Sequence, residues 1–409
     1  MRSNFRTILN EPALTVAFLV VTLLTSSALG GSKYRVLHNF GSGLDGSVPS
    51  GPPLLGGNGR VYGVTFNGGA GQCSDYGCGT VFELTRAGDG WNEGLLHSFT
   101  SADGFPWGAL VSDQLGDLYG TTVAGNSEVF ELSATPHGWG FSVLYTGGAG
   151  PGVVLDGAGN VYGAIGPGNY YGIGAIGEIS PGSQGWNYTD LANFNPTVGY
   201  APPAPPVWGG KGDLYGTTQF GSIGQPKCTT SFGCGVIFKV VSNQDGTWTY
   251  RVLHRFASYP SDGQNPLGGL VMDASGDFYG TTGGGGPSGG GTVFKFALVN
   301  GHWGKTVLYG FPDCANGCIP GSTLVLDKAG NLYGAASGGD QGCGPDPCGT
   351  IFKLTPRKNG KWSYSVLHKF SGPDGNFPWG VVVDGKGNLF GTTESGGTYN
   401  SGVVFEITP

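Results

Sequence analysis

Charge is what this chain has least of. Only 11% of its 409 residues are Asp, Glu, Lys or Arg, so its surface polarity must come from hydroxyls, amides and exposed backbone rather than ion pairs. The 20 basic residues are outnumbered by 27 acidic ones, and the net charge of -7 has the wrong sign for neutralising phosphates. Nucleic acid is thereby excluded as a partner. Long apolar runs are also scarce: beyond residue 30 nothing resembles a transmembrane helix. What is abundant is glycine, 83 residues, with 26 prolines, yet 12% aromatic and 38% hydrophobic content is too much for a disordered chain. The composition is that of a turn-rich all-β protein.

The first thirty residues read differently from the rest. Arg2 and Arg6 precede an apolar run from Ala13 to Leu24, followed by the small residues Ser26, Ser27, Ala28 and Gly30. This is a signal-peptide pattern, and the run is shorter than the roughly 20 residues a membrane span requires. The expected division is a leader over residues 1–30 and one domain over 31–409, with loss of Arg2, Arg6 and Glu11 making the net charge one unit more negative. The protein is expected to be exported: secreted, periplasmic or at the cell surface.

An aromatic-glycine pair at the end of a strand-like run recurs seven times, at Tyr62, Tyr119, Tyr162, Tyr215, Tyr279, Tyr333 and Phe390. The spacing averages about 55 residues, a unit too small to close its own core and obliged to stack on its copies. Within a unit, Val381–Asp384 leads through a Gly-Lys-Gly turn into Asn388–Thr393, a hairpin. Asp113, Asp156, Asp273 and Asp327 begin the same turn in other copies, as Asx-Gly chemistry requires. A third strand follows in every copy, Val81–Leu84 and Val404–Ile407 being the first and last. It carries Glu83, Glu131, Glu178 or Glu406 in some copies and Lys239, Lys295 or Lys353 in others, which reads as a solvated face. A fourth strand starts near Trp91, Trp139, Trp186, Trp248, Trp303 or Trp362, one tryptophan per copy for packing between units.

Counting strands predicts how the array closes. Tyr34–Phe40 has the character of a fourth strand without predecessors, and Val404–Ile407 is a third strand without a successor. Each supplies what the other lacks. The predicted fold is a seven-bladed β-propeller of four-stranded antiparallel blades, its ring closed by the N-terminal strand joining the C-terminal blade.

Antiparallel parity then puts short turns on one face and long loops on the other. Eight cysteines fall in four close pairs, all on the long-loop face: Cys73 with Cys78, Cys228 with Cys234, Cys314 with Cys318 and Cys343 with Cys348. Even count and export favour disulfides, while zinc is disfavoured because no histidine adjoins a pair and the spacings are wrong. The same face carries "DGxxP" loops beginning at Asp45, Asp103, Asp262 and Asp374, candidate ligand-binding carboxylates whose alternative role is turn formation. Trp107 and Trp379 follow two of those prolines, where an indole could stack on a sugar ring or pack inward.

The repeat also serves as a control. His38, His97, His254 and His368 share one repeat position with Tyr145, Ala192 and Tyr309, and His137 and His302 lie on the short-turn face. No nucleophile-histidine-acid set is visible. Residues that break the symmetry are better candidates: Tyr170, Tyr171, Lys227, Asp340, Asp346, Glu394, Tyr399 and Asn400 on the loop face.

The stretches "GLVMDASGDFYGTT" at 269–282, "GTIFKLT" at 349–355 and "WSYSVLHKF" at 362–370 resemble the bacterial GloVer tandem-repeat proteins, called choice-of-anchor because their surface-anchoring tails differ. The resemblance runs from about Tyr34 to the C-terminus and implies an exported or surface-attached repeat protein of unassigned biochemistry. Pro409 follows the last strand, and no such tail is expected. The leading expectation is a monomeric, non-catalytic propeller with no cofactor or metal, binding a glycan or an extracellular protein through its loop face. A carbohydrate-active enzyme using Asp374 or Glu394 as acid and base is the alternative, and needs two carboxyls in one cleft. A structural envelope or matrix component is the third, and predicts self-association.

Overall fold

Seven β-sheets account for nearly all regular structure in the computed structural model, which describes residues 31–41, 44–71, 73, 76–167, 174–224, 227–228, 230–258, 262–312, 314, 316–338 and 348–409. Residues 32–409 form one compact unit. Each sheet is one antiparallel blade, and no α-helix occurs among the described residues. In the second repeat, for instance, Phe105–Pro106 and Val111–Ser112 make the broken innermost strand, followed outward by Leu118–Val123, Glu128–Thr135 and Gly138–Thr146.

The ring closes as strand counting predicts. Lys33–Asn39 pairs antiparallel with Val403–Thr408, with Tyr34 opposite Ile407 and Arg35 opposite Glu406, so the first strand is the outermost strand of the seventh blade. The Arg35 guanidinium also ion-pairs with the Glu406 carboxylate across this seam. The protein is a seven-bladed β-propeller.

Seven hydrophobic clusters fill the interior, each drawn mainly from two neighbouring blades. One joins Tyr62, Val64 and Val81 of the first blade to Leu118, Phe130 and Leu132 of the second. A lone blade would expose these faces, so burial is shared and no repeat can fold without its neighbours. The tryptophans work at these seams. Trp139 packs edge-on against Tyr62 with centroids 6.3 Å apart, and Trp91 meets Phe390 at 6.4 Å across the closure seam.

Hairpin turns form by the Asx chemistry read from the sequence: the Asp113 carboxylate accepts the Leu115 and Asp117 backbone N–H groups at 2.9 Å, and Asp384 accepts those of Lys386 and Asn388 at 2.8 Å. The alternating Glu/Lys position, by contrast, is not simply a solvated face. It is partly or fully buried and lies opposite the repeat tyrosine, as Glu131 does opposite Tyr119 and Lys295 opposite Tyr279. A phenol satisfies either sign. Tyr119 donates to Glu131 at 2.9 Å, whereas Lys295 sits 5.7 Å above the Tyr279 ring and pairs with Asp277.

Candidate functional site: an aromatic funnel on the propeller axis

All seven innermost strands converge on the axis, and at the loop face they leave a cavity of about 400 Å³ that every blade lines. Close packing of backbone forms its throat. At Gly108, where φ is +92°, a Cβ would lie 2.7 Å from the Pro151 carbonyl carbon of the next blade, so both conformation and space demand glycine. Threonines that follow the repeat aromatic-glycine pair tie blades together here: Thr217 donates to the Gly268 carbonyl at 3.0 Å and Thr281 to that of Ser322 at 3.1 Å. This bonding explains the "YGTT" text, whose threonines are buried rather than exposed.

The funnel has two unlike walls. On one side Trp107 of the second blade and Trp379 of the seventh meet at 5.2 Å in an edge-to-face pair, reaching past the small residues Ser50 and Gly51 of the blade between them. Phe66 extends this wall, 5.6 Å from Trp107 and stacked on Phe105 at 4.7 Å. The opposite side is the run Ala201–Pro205 of the fourth blade, with Leu267 of the fifth. Polar lining is limited to Ser50, Gln219, Ser322, Thr323 and backbone, with no charged side chain among the described lining residues.

Sequence candidates divide around this cavity. Trp107 and Trp379 are brought together in its wall, and Leu267 at the matching place in the fifth blade lines it too. The four DGxxP carboxylates are not in its lining. Asp45, Asp262 and Asp374 bond the histidines of outermost strands, His38 at 3.3 Å, His254 at 3.1 Å and His368 at 2.8 Å. Asp103 accepts the Thr100 backbone N–H at 2.8 Å and its hydroxyl at 2.7 Å. Burial works to raise the Asp374 carboxyl, but hydrogen bonds from His368 and Ser371 outweigh it and hold the group below the usual carboxylate range. Asp262 is held low in the same way by His254 and by Lys305, whose ammonium lies 2.7 Å away. Among the described residues no group of three or more His, Cys, Asp or Glu side chains is placed to hold a metal ion.

Glu394 is the exception among the acids. It follows Thr393 at the loop-face end of its strand, the repeat position that supplies Phe66, Val123 and Gln219 to the funnel lining. It is exposed to solvent, its carboxyl has neither an ion pair nor a hydrogen bond within the described protein, and partial desolvation by its neighbours raises its affinity for a proton. Tyr399 is 55% exposed in the following loop, where the neighbouring Asn400 accepts the Gly396 backbone N–H at 3.2 Å. Lys227 accepts the Ser258 N–H through its backbone carbonyl. Disulfides join Cys73 to Cys78, Cys228 to Cys234 and Cys314 to Cys318. Tyr170, Tyr171, Asp340, Cys343 and Asp346 lie outside the described residues, and with Cys343 the fourth expected pairing, to Cys348.

Two parts of the site escaped the sequence reading. The proline-rich wall at 201–205 is the one copy whose innermost segment reads "APPAP", a break in the repeat that was available as a signal. The other is a groove of about 410 Å³ adjoining the funnel between the fourth and fifth blades, lined by Gln219, Phe220, Thr230, Phe232, Gln264, Asn265, Leu267 and Gly283–Gly284.

A propeller with an aromatic axial funnel, without a charged side chain among its described lining residues, is the class that this architecture defines. Two overlapping stretches, residues 135–345 and 228–409, match the family described as the Gloeobacter/Verrucomicrobia repeat, and the chain belongs to that family. No curated protein matches the sequence. Among solved structures, the periplasmic gluconolactonase of Pseudomonas aeruginosa is similar at a TM-score of 0.51 and 13% identity, over 79% of this chain and 85% of that one. A Lactobacillus plantarum protein is similar at a TM-score of 0.50 and 13% identity, over 88% of each chain. At such identities the likeness is one of fold alone.

Proposed function

We propose that this chain is an exported, non-catalytic binding propeller that takes up an uncharged carbohydrate in its axial funnel. The observation that carries this reading is the Trp107–Trp379 pair, two half-buried indoles walling a cavity whose described lining has no charged side chain. Sugar rings present apolar C–H faces to aromatic planes and hydroxyls to amides and backbone groups, the mixture this funnel offers. An anionic ligand would find no cation among the described lining residues. Export is supported by the signal-like residues 1–30 and by the three disulfides, which an oxidising compartment allows.

A glycan array followed by titration of the best binder tests the reading. Binding that falls more than about ten-fold in both Trp107→Ala and Trp379→Ala supports it, since a stacked aromatic anchor carries that much affinity. An array that returns nothing at micromolar sensitivity counts against it.

A second reading is kept for one observation, the unpartnered Glu394 carboxyl with its raised proton affinity at the funnel's loop-face end. A glycosidase needs a second carboxyl across the cleft, and the described lining offers none. Hydrolysis of a bound oligosaccharide that Glu394→Gln abolishes would establish the enzyme instead.

A further inference from the structure

The groove between the fourth and fifth blades has an assignable chemistry. Its fourth-blade side is Gln219, Phe220, Thr230 and Phe232, and its fifth-blade side is Gln264, Asn265 and Leu267 over the bare backbone of Gly283 and Gly284. It shares Gln219 and Leu267 with the funnel, so the two spaces adjoin.

Gly283 leaves the fifth-blade side of the groove bare. It occupies the repeat position held by Phe66, Val123, Gln219 and Glu394 in other blades and, like Gly166 in the third, carries no side chain there. A Cβ at Gly283 would come within 2.3 Å of Leu267 Cδ1, so the packing depends on its absence.

Hydrogen bonding fixes the groove's backbone and leaves two of its three side-chain amides unused. Gln264 and Gly284 exchange backbone bonds at 2.9 and 3.1 Å, Gln219 N–H reaches the Ala201 carbonyl at 2.9 Å, and the Asn265 amide donates to the Gln219 carbonyl at 3.2 Å. The side-chain amides of Gln219 and Gln264 are half-buried and make no bond within the described protein. Such groups lose water on burial and recover the cost only when a ligand pairs with them. Beside them Phe232 is 62% exposed, with Phe220 at 5.7 Å behind it. An exposed phenyl ring next to two free amides, without a charged neighbour among the described lining residues, is chemistry for hydroxyls and C–H faces arranged along a chain.

We infer that the groove is an extended subsite for an unbranched neutral oligosaccharide, whose end occupies the axial funnel and whose following units run outward between the fourth and fifth blades. The Gln219 and Gln264 amides bond its hydroxyls, and Phe232 stacks on one of its rings. This rests on the proposed binding of carbohydrate in the funnel, and adds chain length and direction to it.

Titration calorimetry of the intact chain with β-1,4-linked gluco-, xylo- and manno-oligosaccharides, from disaccharide to hexasaccharide, tests the inference. In the series that binds, affinity is expected to rise about ten-fold or more between disaccharide and hexasaccharide. Phe232→Ala and Gln264→Ala should abolish that rise while leaving disaccharide affinity unchanged, and Trp379→Ala should weaken every member alike. Phe232 is largely exposed, so its alanine variant should fold, which an unchanged thermal transition will verify. Affinity independent of chain length, or a rise that survives both groove variants, overturns the inference while leaving the funnel reading intact. Failure of all three series overturns both, as does binding of an uncharged extended peptide in their place.

Discussion

The Tyr34 ring stacks on the His368 imidazole with centroids 3.8 Å apart and planes within 8°, joining the first strand of the chain to the outer strand of the sixth blade. The same contact recurs at other seams: Phe141 on His97 at 4.1 Å, Tyr364 on Tyr309 at 4.2 Å and Tyr188 on Tyr145 at 4.7 Å. Sheet register places Glu93 and Lys305 at the same position as those aromatics, opposite Leu84 and Phe296 where Tyr364 stands opposite Leu354. His97 and His368, which look catalytic in one dimension, are therefore receiving plates of an inter-blade stack. Asp45, Asp262 and Asp374 bond His38, His254 and His368 in turn.

Ring closure by this seam predicts a large stability effect from a short deletion. Removing residues 33–40 takes away the strand paired with Val403–Thr408, together with the buried Phe40 and the Tyr34 stack. The melting temperature should fall by more than about 10 °C, because several kcal/mol are lost from one cooperative unit. Tyr34→Ala alone should cost about 3 kcal/mol. Melting that is unchanged by the deletion contradicts the closure.

Asp262 should behave as a structural anchor. Lys305 is buried, its side chain 4% exposed, and burial lowers its proton affinity although Asp262 opposes this. Asp262→Ala leaves that ammonium without its counter-charge and should cost about 3–5 kcal/mol in urea denaturation. The double variant Asp262→Ala, Lys305→Met should recover much of the loss. A fully stable single variant would show that the pair is not holding the seam.

Glu93 predicts a pH dependence with a definite sign. Burial, helped by the charge of Asp45, raises its carboxyl from 4.5 to about 7, and its Oε1 is buried without a partner. A raised folded value means that the folded state binds the proton more tightly. Its favourable contribution is complete below 4.5 and is lost as pH rises through about 7. Glu93→Gln should therefore stabilise the protein near about pH 8 by about 1 kcal/mol, allowing for partial exposure, and have little effect near about pH 4. Equal shifts in melting temperature at both pH values would contradict the assignment.

Two classes of tryptophan should separate cleanly. Trp139→Ala removes a ring packed in the seam cluster beside Tyr62 and should cost about 3–5 kcal/mol without altering binding by the remaining folded protein. Trp107→Ala and Trp379→Ala should do the reverse, losing binding at a smaller cost in stability. Chemical denaturation and titration on the same three variants distinguish these outcomes.

The frame of this protein was legible because it is written seven times. Tyr62 through Phe390 set the period, and the orphan segments at Tyr34 and Val404 revealed the closure. The Glu/Lys alternation misled because a phenol accepts either partner, so variability there did not mean solvation. Of the funnel, the indoles of Trp107 and Trp379 were visible because they follow two of the DGxxP prolines. The other wall was not, since Ala201–Pro205 carry no reactive group and act through shape. The groove was harder still: its fifth-blade side includes the bare backbone of Gly283 and Gly284, and a missing side chain has no signature until its neighbours are placed.

Crystallising the protein with the tightest binder from the glycan array tests the central claim most directly. The account predicts sugar density in the axial funnel, with a ring face against Trp107 or Trp379 and no contact to Asp45, Asp103, Asp262 or Asp374. Density confined to the outer loops or the short-turn face, with the funnel empty, would contradict it.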